Sequence, residues 1–286
     1  MKIIDRIKSD KGLMGRTHAL SALAVFLMLT AFFTNFVFDR VLQTNNLLIY
    51  FSGMLVCIGI AMWPDFDNTK STAISTFGVV GTAISKGMRA IAVFIYSLVH
   101  SRHDDQTPNP HRSFWHTLAS AFLLGILILI TTSLPFVVTI PVIDKPVKIG
   151  FIFAVLWVYA SFKLALAGLL GDYLKKNKSF VYSIFTEIVV LLFSISVLLL
   201  APGDLDYKWL AYSAILGYSV HILGDTMTKA GTPLFWPIKH NGKRWYDYRI
   251  FGFKAGGSVE KIIVIPSLVI ISVLSVLKIF YTYIGG

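Results

Sequence analysis

The sequence predicts an all-α membrane protein: a polytopic helical bundle with about seven transmembrane helices and one interfacial or re-entrant segment. Hydrophobic residues make up 55% of its 286 residues, whereas charged residues make up only 14%. Soluble globular domains carry about 25% charged residues. The charges are also concentrated in short segments between long apolar runs. We therefore expect residues 1–286 to form a single integral membrane domain.

Seven apolar stretches have the length that a membrane-spanning helix requires, about 17 to 25 residues. They are 19–38, 47–63, 117–140, 149–171, 180–201, 208–224 and 262–284. An eighth stretch, 72–99, carries Lys86 and Arg89 near its middle. Charges at such positions are costly in lipid. We predict that this stretch lies at the membrane interface or re-enters, rather than spanning.

The distribution of lysine and arginine predicts the orientation of the chain. With the N-terminus in the cytoplasm, the cytoplasmic segments are 1–18, 64–116, 172–179 and 225–261. They contain 20 of the 26 lysines and arginines, whereas the external loops contain four. Cytoplasmic loops of membrane proteins are enriched in these residues. We predict a cytoplasmic N-terminus and an external C-terminus, and the net charge of +11 then reflects topology rather than nucleic-acid binding.

Four short polar motifs stand at predicted span ends. They are Thr17-His18, Pro64-Asp65-Phe66-Asp67, His111-Arg112-Ser113-Phe114-Trp115-His116 and His221-Ile222-Leu223-Gly224-Asp225. Under the predicted topology, all four face the cytoplasm. This agreement is informative, because the positions of the motifs were not used to derive the topology. The two cytoplasmic loops 64–116 and 225–261 are expected to contribute to one site. Asn241-Gly242 in the second loop is expected to turn a short hairpin.

The motifs together supply four imidazoles and three carboxylates, which are ligands suited to zinc, manganese or iron. His221 and Asp225 are four residues apart on a predicted helix, so they share a face. Ser113 is expected to cap the third span, which would place His116 in its first turn. The expected metal ligands are His18, Asp65, Asp67, His111, His116, His221 and Asp225. A tetrahedral catalytic site uses three protein ligands and water, so the set holds either two cations or one cation with supporting residues.

Polar residues outside the motifs have simpler explanations. The remaining histidines are expected to be ordinary interfacial residues: His100, His103 and His240. The pair Asp104-Asp105 is expected to lie in a solvated loop. Lys163 and Glu187, inside the fourth and fifth spans, either pair with each other structurally or belong to a transport path.

In this order, the motifs resemble a bacterial family described as LexA-regulated, membrane-bound metal-dependent hydrolases. The family pattern begins with Thr-His, continues with Pro-Asp-x-Asp and His-Arg-x-x-x-His, and ends with His-x-x-x-Asp-x-x-Thr-x-x-Gly. The last element runs here from His221 to Gly231, with Asp225 and Thr228 at the matching positions. Gly256-Gly257-Ser258 followed by Glu260 resembles the closing element. The resemblance spans residues 15 to about 262.

The resemblance implies a metal-dependent hydrolase in the bacterial cytoplasmic membrane. We expect one or two divalent cations per chain, zinc or manganese, with water activated by the cation as the nucleophile. Asp67 and Arg112 are the expected catalytic residues, Arg112 because a guanidinium fork binds phosphate oxygens. A phosphoester or lipid-linked substrate suits the location, and membrane lipids are the expected partners. The alternative is a transporter or metal-ion carrier that uses the same histidines and aspartates.

Overall fold

A computed structural model of the protein describes residues 15–33, 47–104, 111–140, 145–176, 180–200 and 207–283. These ranges contain eight α-helices and almost no sheet, which confirms the predicted all-α membrane bundle. The helices are α1 (Gly15–Phe32), α2 (Leu47–Ile60), α3 (Thr72–Val99), α4 (Leu118–Thr132), α5 (Ile149–Lys176), α6 (Phe180–Leu200), α7 (Lys208–Thr226) and α8 (Ile265–Tyr283).

Five segments of the described chain are long and apolar enough to cross a membrane, judged by length and composition. They are Gly15–Phe32, Leu47–Asp67, Thr72–Val99, Ile149–Gly171 and Glu260–Thr282. Leu118–Thr132 and Ile184–Leu200 are shorter apolar helices. The first helix begins at Gly15 and ends at Phe32, and the predicted continuation to residue 38 lies outside the described residues.

Helices α2 and α7 form the centre of the bundle. Helix α2 packs against α1, α5 and α7, while α7 also packs against α1 and α4. A Cβ atom at Gly59 would lie 1.9 Å from the carbonyl oxygen of Ser161, and one at Gly217 would lie 2.0 Å from that of Cys57. Glycine therefore allows the close backbone contact that is typical of helix packing in membranes.

The predicted span 117–140 is wrong in its second half. Helix α4 ends at Thr132, and the chain then forms a strand, β1 (Val137–Ile140), which pairs antiparallel with β2 (Lys145–Lys148). Pro135 explains the early end, because proline lacks a backbone N–H and disfavours helical backbone at the residue before it. The apolar side chains of Val137–Ile140 extended the hydropathy signal beyond the helix.

Two local predictions, one of a helix cap and one of a turn, had different outcomes. Ser113 does not cap the third span, because Thr117 is the N-cap of α4 and accepts a hydrogen bond from the backbone N–H of Ser120. The predicted turn at Asn241-Gly242 is confirmed, with both residues at positive φ and an antiparallel bridge closing the turn. Asparagine and glycine tolerate this left-handed backbone better than other residues.

Asp104 lies in a partly exposed turn, in line with the predicted solvated loop, but it also bonds a distant segment of the chain. Its Oδ1 atom accepts hydrogen bonds from the backbone N–H groups of Arg244 and Trp245, both at 3.0 Å. Burial alone would raise the pKa of Asp104, but hydrogen bonds from backbone amides, those of Ser101 and Trp245 foremost, outweigh it and lower the pKa. Asp104 thus joins the end of α3 to the segment 227–257. Asp105 lies outside the described residues.

Candidate metal centre

The four polar motifs meet at one end of the bundle. His18 lies in the first turn of α1, and Asp65 and Asp67 lie in a 3₁₀ turn that follows α2. His116 lies in a second 3₁₀ turn, just before α4. The last two turns of α7 carry the remaining pair, His221 and Asp225. Neighbouring helices run in opposite directions, so helix starts and helix ends supply ligands to the same place.

The centre of the cluster consists of His116, His221 and Asp225. The Nε2 atoms of the two imidazoles are 3.3 Å apart. Asp225 Oδ2 lies 3.4 Å from His116 Nε2 and 3.5 Å from His221 Nε2. All three side chains are buried. Three potential ligand atoms therefore form a nearly equilateral triangle inside the protein.

The orientation of the His221 ring follows from its second nitrogen. Nδ1 lies 2.7 Å from the carbonyl oxygen of Ala61, at the end of α2. A carbonyl only accepts hydrogen bonds, so Nδ1 carries the proton and Nε2 presents a lone pair to the cluster. Histidines that bind metals are commonly held in this way. The carbonyl of Ala61 is a functional contact that no side-chain motif in the sequence could reveal.

Asp67 joins the two histidines of the third motif. Its Oδ1 atom lies 2.6 Å from His111 Nδ1, and its Oδ2 atom lies 3.3 Å from His116 Nδ1. Burial would lower the pKa of His111, but the Asp67 carboxylate outweighs it and raises that pKa. For His116, burial dominates and lowers the pKa. His116 is thus held in the neutral form that binds metals.

His18 and Asp65 lie on the other side of His221. The His18 ring stacks on that of His221, with centroids 3.7 Å apart, and His18 Nε2 lies 3.4 Å from Asp225 Oδ1. Asp65 Oδ1 is 4.0 Å from His221 Nε2. His18, Asp65 and His221 could hold a cation, as could Asp67, His111 and His116, or the central three residues. All seven predicted ligands thus belong to one connected cluster.

Arg112 does not present its guanidinium to solvent. Its Nη2 atom donates to Asp225 Oδ1 at 3.1 Å, and Nη1 donates to Thr228 Oγ1 and to the carbonyl oxygen of Gly231. The backbone of Arg112 has φ 63°, a left-handed conformation that costs a non-glycine residue roughly 1 kcal/mol or more. With this backbone conformation, the Arg112 side chain points into the protein, where its guanidinium contacts Asp225.

A second set of residues supports the cluster and was not among the predicted ligands. The hydroxyl of Thr17 donates to Glu260 Oε1 at 2.5 Å, and the backbone N–H of Gly256 donates to Oε2 at 2.6 Å. Glu260 is completely buried in a π-helical turn that precedes α8. It links the start of α1, which carries His18, to the start of α8. The sequence contained a sign of this role, because Glu260 is the acidic residue that follows Gly256-Gly257-Ser258 in the closing element of the family pattern.

The cluster is buried except at one edge. The side chains of Asp65 and His111 retain 15% and 19% of their exposure, whereas those of the other five ligands retain 1% or less. A small molecule would therefore approach from the side of Asp65 and His111. The other histidines lie elsewhere among the described residues: His240 packs against Tyr246 and His100 stacks on Tyr96.

The residues present fit a divalent cation. For ligands at about 2.0–2.1 Å from zinc, tetrahedral geometry sets ligand–ligand separations of about 3.3–3.4 Å. The central triangle has edges of 3.3, 3.4 and 3.5 Å. Within the described chain, both ring nitrogens of His18 and Nδ1 of His116 are buried without a hydrogen bond. Buried polar atoms are normally satisfied, and a cation would draw in ligands of this kind.

The fold and this cluster define an integral membrane protein with a buried histidine–aspartate centre at one end of its bundle. The chain belongs to the family described as YdjM inner membrane protein, which matches residues 13–179 and 178–284. Membership supports the inner-membrane location expected from the sequence. No curated protein and no solved structure matches the chain.

Proposed function

We propose that the protein is a metal-dependent hydrolase that cleaves a phosphoester or lipid-linked substrate at the cytoplasmic face of the membrane. The observation that carries the proposal is the triangle of His116, His221 and Asp225, whose edges fit a tetrahedral cation. Three protein ligands with a fourth position for water or substrate are typical of catalytic zinc sites, whereas structural sites use four protein ligands. Zinc is accordingly the first cation to test, and manganese the second.

The neighbouring residues have distinct roles in this proposal. A divalent cation, when bound, supplies Lewis acidity and makes water a nucleophile near neutral pH. Asp67 accepts a hydrogen bond from the Nδ1–H group of His111 and so orients the ring at the open edge. Nε2 of His111 is then the atom that accepts a proton from the attacking water or returns one to the leaving group. If a second cation binds, Asp67, His111 and His116 would hold it.

Arg112 has a different proposed role from the one that the sequence suggested. Its terminal nitrogens are engaged by Asp225, Thr228 and Gly231, so its fork points to the protein rather than to a substrate phosphate. We infer that Arg112 is a positioning residue that orients the Asp225 carboxylate toward the cation. Asp67, which the sequence suggested as catalytic, is likewise a positioning residue, because it acts through His111.

The experiment is a hydrolysis screen with purified protein in detergent, loaded with zinc or manganese. Phospholipids, lipid-linked phosphates and water-soluble phosphoesters are compared. We expect preferential cleavage of the amphiphilic phosphoesters, loss of activity in His116→Ala, and full activity in His240→Ala. If no ester is cleaved while the cation crosses liposome membranes that contain the protein, the protein is a metal-ion carrier and the hydrolase proposal fails.

The orientation of the bundle is part of the proposal. The excess of lysine and arginine in the segments at the metal-centre end supports a cytoplasmic N-terminus and an external C-terminus. Reporter fusions after residues 178 and 145 should report cytoplasmic and external locations, respectively. The reverse result would place the metal centre on the external side.

A further inference from the structure

Helix α3 touches the rest of the protein at its start, middle and end. The ring of Phe77 lies 5.8 Å from that of Phe66, which follows α2. At mid-helix, the indole N–H of Trp115 donates to the carbonyl oxygen of Met88 at 2.6 Å. At the last turn, the guanidinium of Arg244 donates to the carbonyl oxygen of Val99 at 2.8 Å. Each of these partners belongs to a segment at the metal-centre end of the bundle.

These contacts show how α3 runs. Phe66 lies between two candidate ligands, and Trp115 directly precedes His116. Arg244 belongs to the segment 227–257, which joins the metal-centre ends of α7 and α8. The uninterrupted helix from Val79 to Val99 is about 30 Å long, enough to cross a hydrocarbon core of about 30 Å. Since both of its ends contact the same end of the bundle, α3 lies across that end instead of running parallel to the other helices.

The side chains of α3 fall into three faces. The face that contacts the protein carries Gly81, Ser85, Met88, Ala92 and Tyr96, spaced by three or four residues and all buried. On one side of it, an exposed apolar face carries Val80, Ile91, Phe94 and Leu98. On the other side, a mainly polar face carries Thr82, Lys86, Arg89 and Ser97, with the exposed Val93 among them. At 3.6 residues per turn, the two outer faces point in different directions.

We propose that α3 lies in the plane of the membrane, on the anionic surface of the leaflet at the metal-centre end. A helix with separate apolar and basic faces is suited to this position: the apolar face enters the acyl boundary and the basic residues meet anionic headgroups. The adjoining helices are embedded in the same bilayer, so this leaflet surface is directly available to α3. Lys86 and Arg89 then lie at the headgroups rather than in the hydrocarbon core.

Gly78 allows the chain to take this direction. Its backbone has φ 55° and ψ −122°, which breaks the helix six residues after its start. Glycine adopts positive φ at little cost, whereas other residues rarely do. The short piece before Gly78 stays against Phe66, and the longer piece after it follows the membrane surface.

An aromatic chain connects α3 to the metal centre. The ring of Tyr96 stacks on that of Trp245, Trp245 stacks on Trp236, and Trp236 meets Phe114 edge to face, with centroids 5.1, 5.1 and 5.4 Å apart. Phe114 lies in the turn that carries His116. The depth of α3 in the membrane therefore sets the depth of the histidines. With α3 at the membrane surface, the metal centre lies at the level of the headgroups.

The test measures the depth of single labels in the full protein. Cysteines replace Val80, Ile91 or Leu98 on the apolar face, and Thr82 or Ser97 on the polar face, each carrying an environment-sensitive fluorophore. Cys57 is fully buried, so the unsubstituted protein serves as the labelling blank. The protein is reconstituted in vesicles of phosphatidylethanolamine and phosphatidylglycerol. Quenching by spin-labelled lipids measures depth, and aqueous iodide measures exposure to water.

We expect the three apolar-face labels at one shallow depth, about 5–10 Å below the headgroup boundary. The two polar-face labels should be quenched by iodide. A spanning α3 would instead separate Val80 and Leu98 by about 27 Å in depth, and that gradient would overturn the proposal. Iodide quenching of all five labels, or crosslinking of apolar-face cysteines between two copies, would also overturn it, because the face would then meet water or a second chain. Circular dichroism of each variant checks that the fold is retained.

Discussion

The described part of the protein contains two polar clusters of opposite character, one buried and one partly exposed. At the metal-centre end, seven histidine and aspartate side chains surround one another with several ring nitrogens left without hydrogen bonds. Between α5 and α6, by contrast, Lys163 Nζ lies 2.5 Å from Glu187 Oε1, and the hydroxyl of Tyr159 also donates to Glu187. The polar groups of the second cluster bond one another, whereas the first cluster keeps ring nitrogens of His18 and His116 without hydrogen bonds.

This difference indicates what each cluster is for. Lys163 and Glu187 form an ion pair, which was one of the two predictions for them. The ammonium of Lys163 also lies 4.9 Å from the centroid of the Phe77 ring. A complete ion pair inside a membrane protein needs no further partner. The histidine–aspartate cluster offers lone pairs that converge at short distances, an arrangement that a cation would satisfy. Binding chemistry is therefore expected at the end of the bundle and not between α5 and α6.

The largest expected effect is the loss of metal in His116→Ala. His116 belongs to two of the three groups of residues that could hold a cation, so its removal weakens both. We expect most of the bound metal to be lost, as measured by elemental analysis of the purified protein. His240→Ala is the matched control, because His240 packs against Tyr246 away from the cluster. Equal metal content in the two variants would remove His116 from the ligand set.

Arg112→Lys should have the next largest effect. Lysine keeps the positive charge but cannot bond Asp225, Thr228 and Gly231 at once. Residues that orient metal ligands typically contribute 10–100-fold to metal affinity, and we expect a loss of about that size in a competition titration with a chelator. Arg244→Lys is the control, since Arg244 contacts Val99 rather than the cluster. Unchanged affinity with reduced turnover would return Arg112 to the substrate-binding role that the sequence suggested.

The sequence predicted the membrane bundle and brought the candidate ligands to one end of it. Apolar runs of span length identify most helices, and the alternation of helix direction places every second helix end on the same side. The motifs therefore met in space although Thr17-His18 and Asp225 are some 200 residues apart. The predicted turn at Asn241-Gly242 succeeded for a local reason, since those two residues tolerate positive φ.

Other features of the site and fold could not be predicted from the sequence. The carbonyl of Ala61 that orients His221 belongs to the backbone and leaves no trace in residue type. The inward direction of Arg112 depends on its left-handed backbone and on Thr228 and Gly231, more than 100 residues away. The early end of α4 is different, because Pro135 was visible in the sequence and the hydropathy of the following strand outweighed it.

Thr17→Val tests a hydrogen bond that supports the metal centre without belonging to it, the bond from Thr17 to Glu260. Valine has the shape of threonine but cannot donate to Glu260, and a hydrogen bond to a charged group contributes about 1.5–3 kcal/mol. We expect a lower unfolding temperature and a smaller loss of metal affinity than in Arg112→Lys. Thr30→Val is the control, because Thr30 lies in the same helix but donates to the Phe26 carbonyl instead of to Glu260. A loss of affinity as large as that of Arg112→Lys would make Thr17 part of the metal centre itself.

The smallest expected effect on metal binding comes from the ion pair between α5 and α6. In Lys163→Met, Glu187 loses its ion-pair partner, so we expect lower thermal stability. The double variant Lys163→Gln/Glu187→Gln removes both charges and keeps hydrogen-bonding groups, including an acceptor for Tyr159, so it should recover most of that loss. Elemental analysis should find normal metal content in both variants, because neither residue contacts a candidate ligand. A transport path through this pair makes the opposite prediction: flux of the cation into liposomes would fall in the double variant although the fold is stable. That result would show that the two polar clusters work together, and it would favour the metal-ion carrier over the hydrolase.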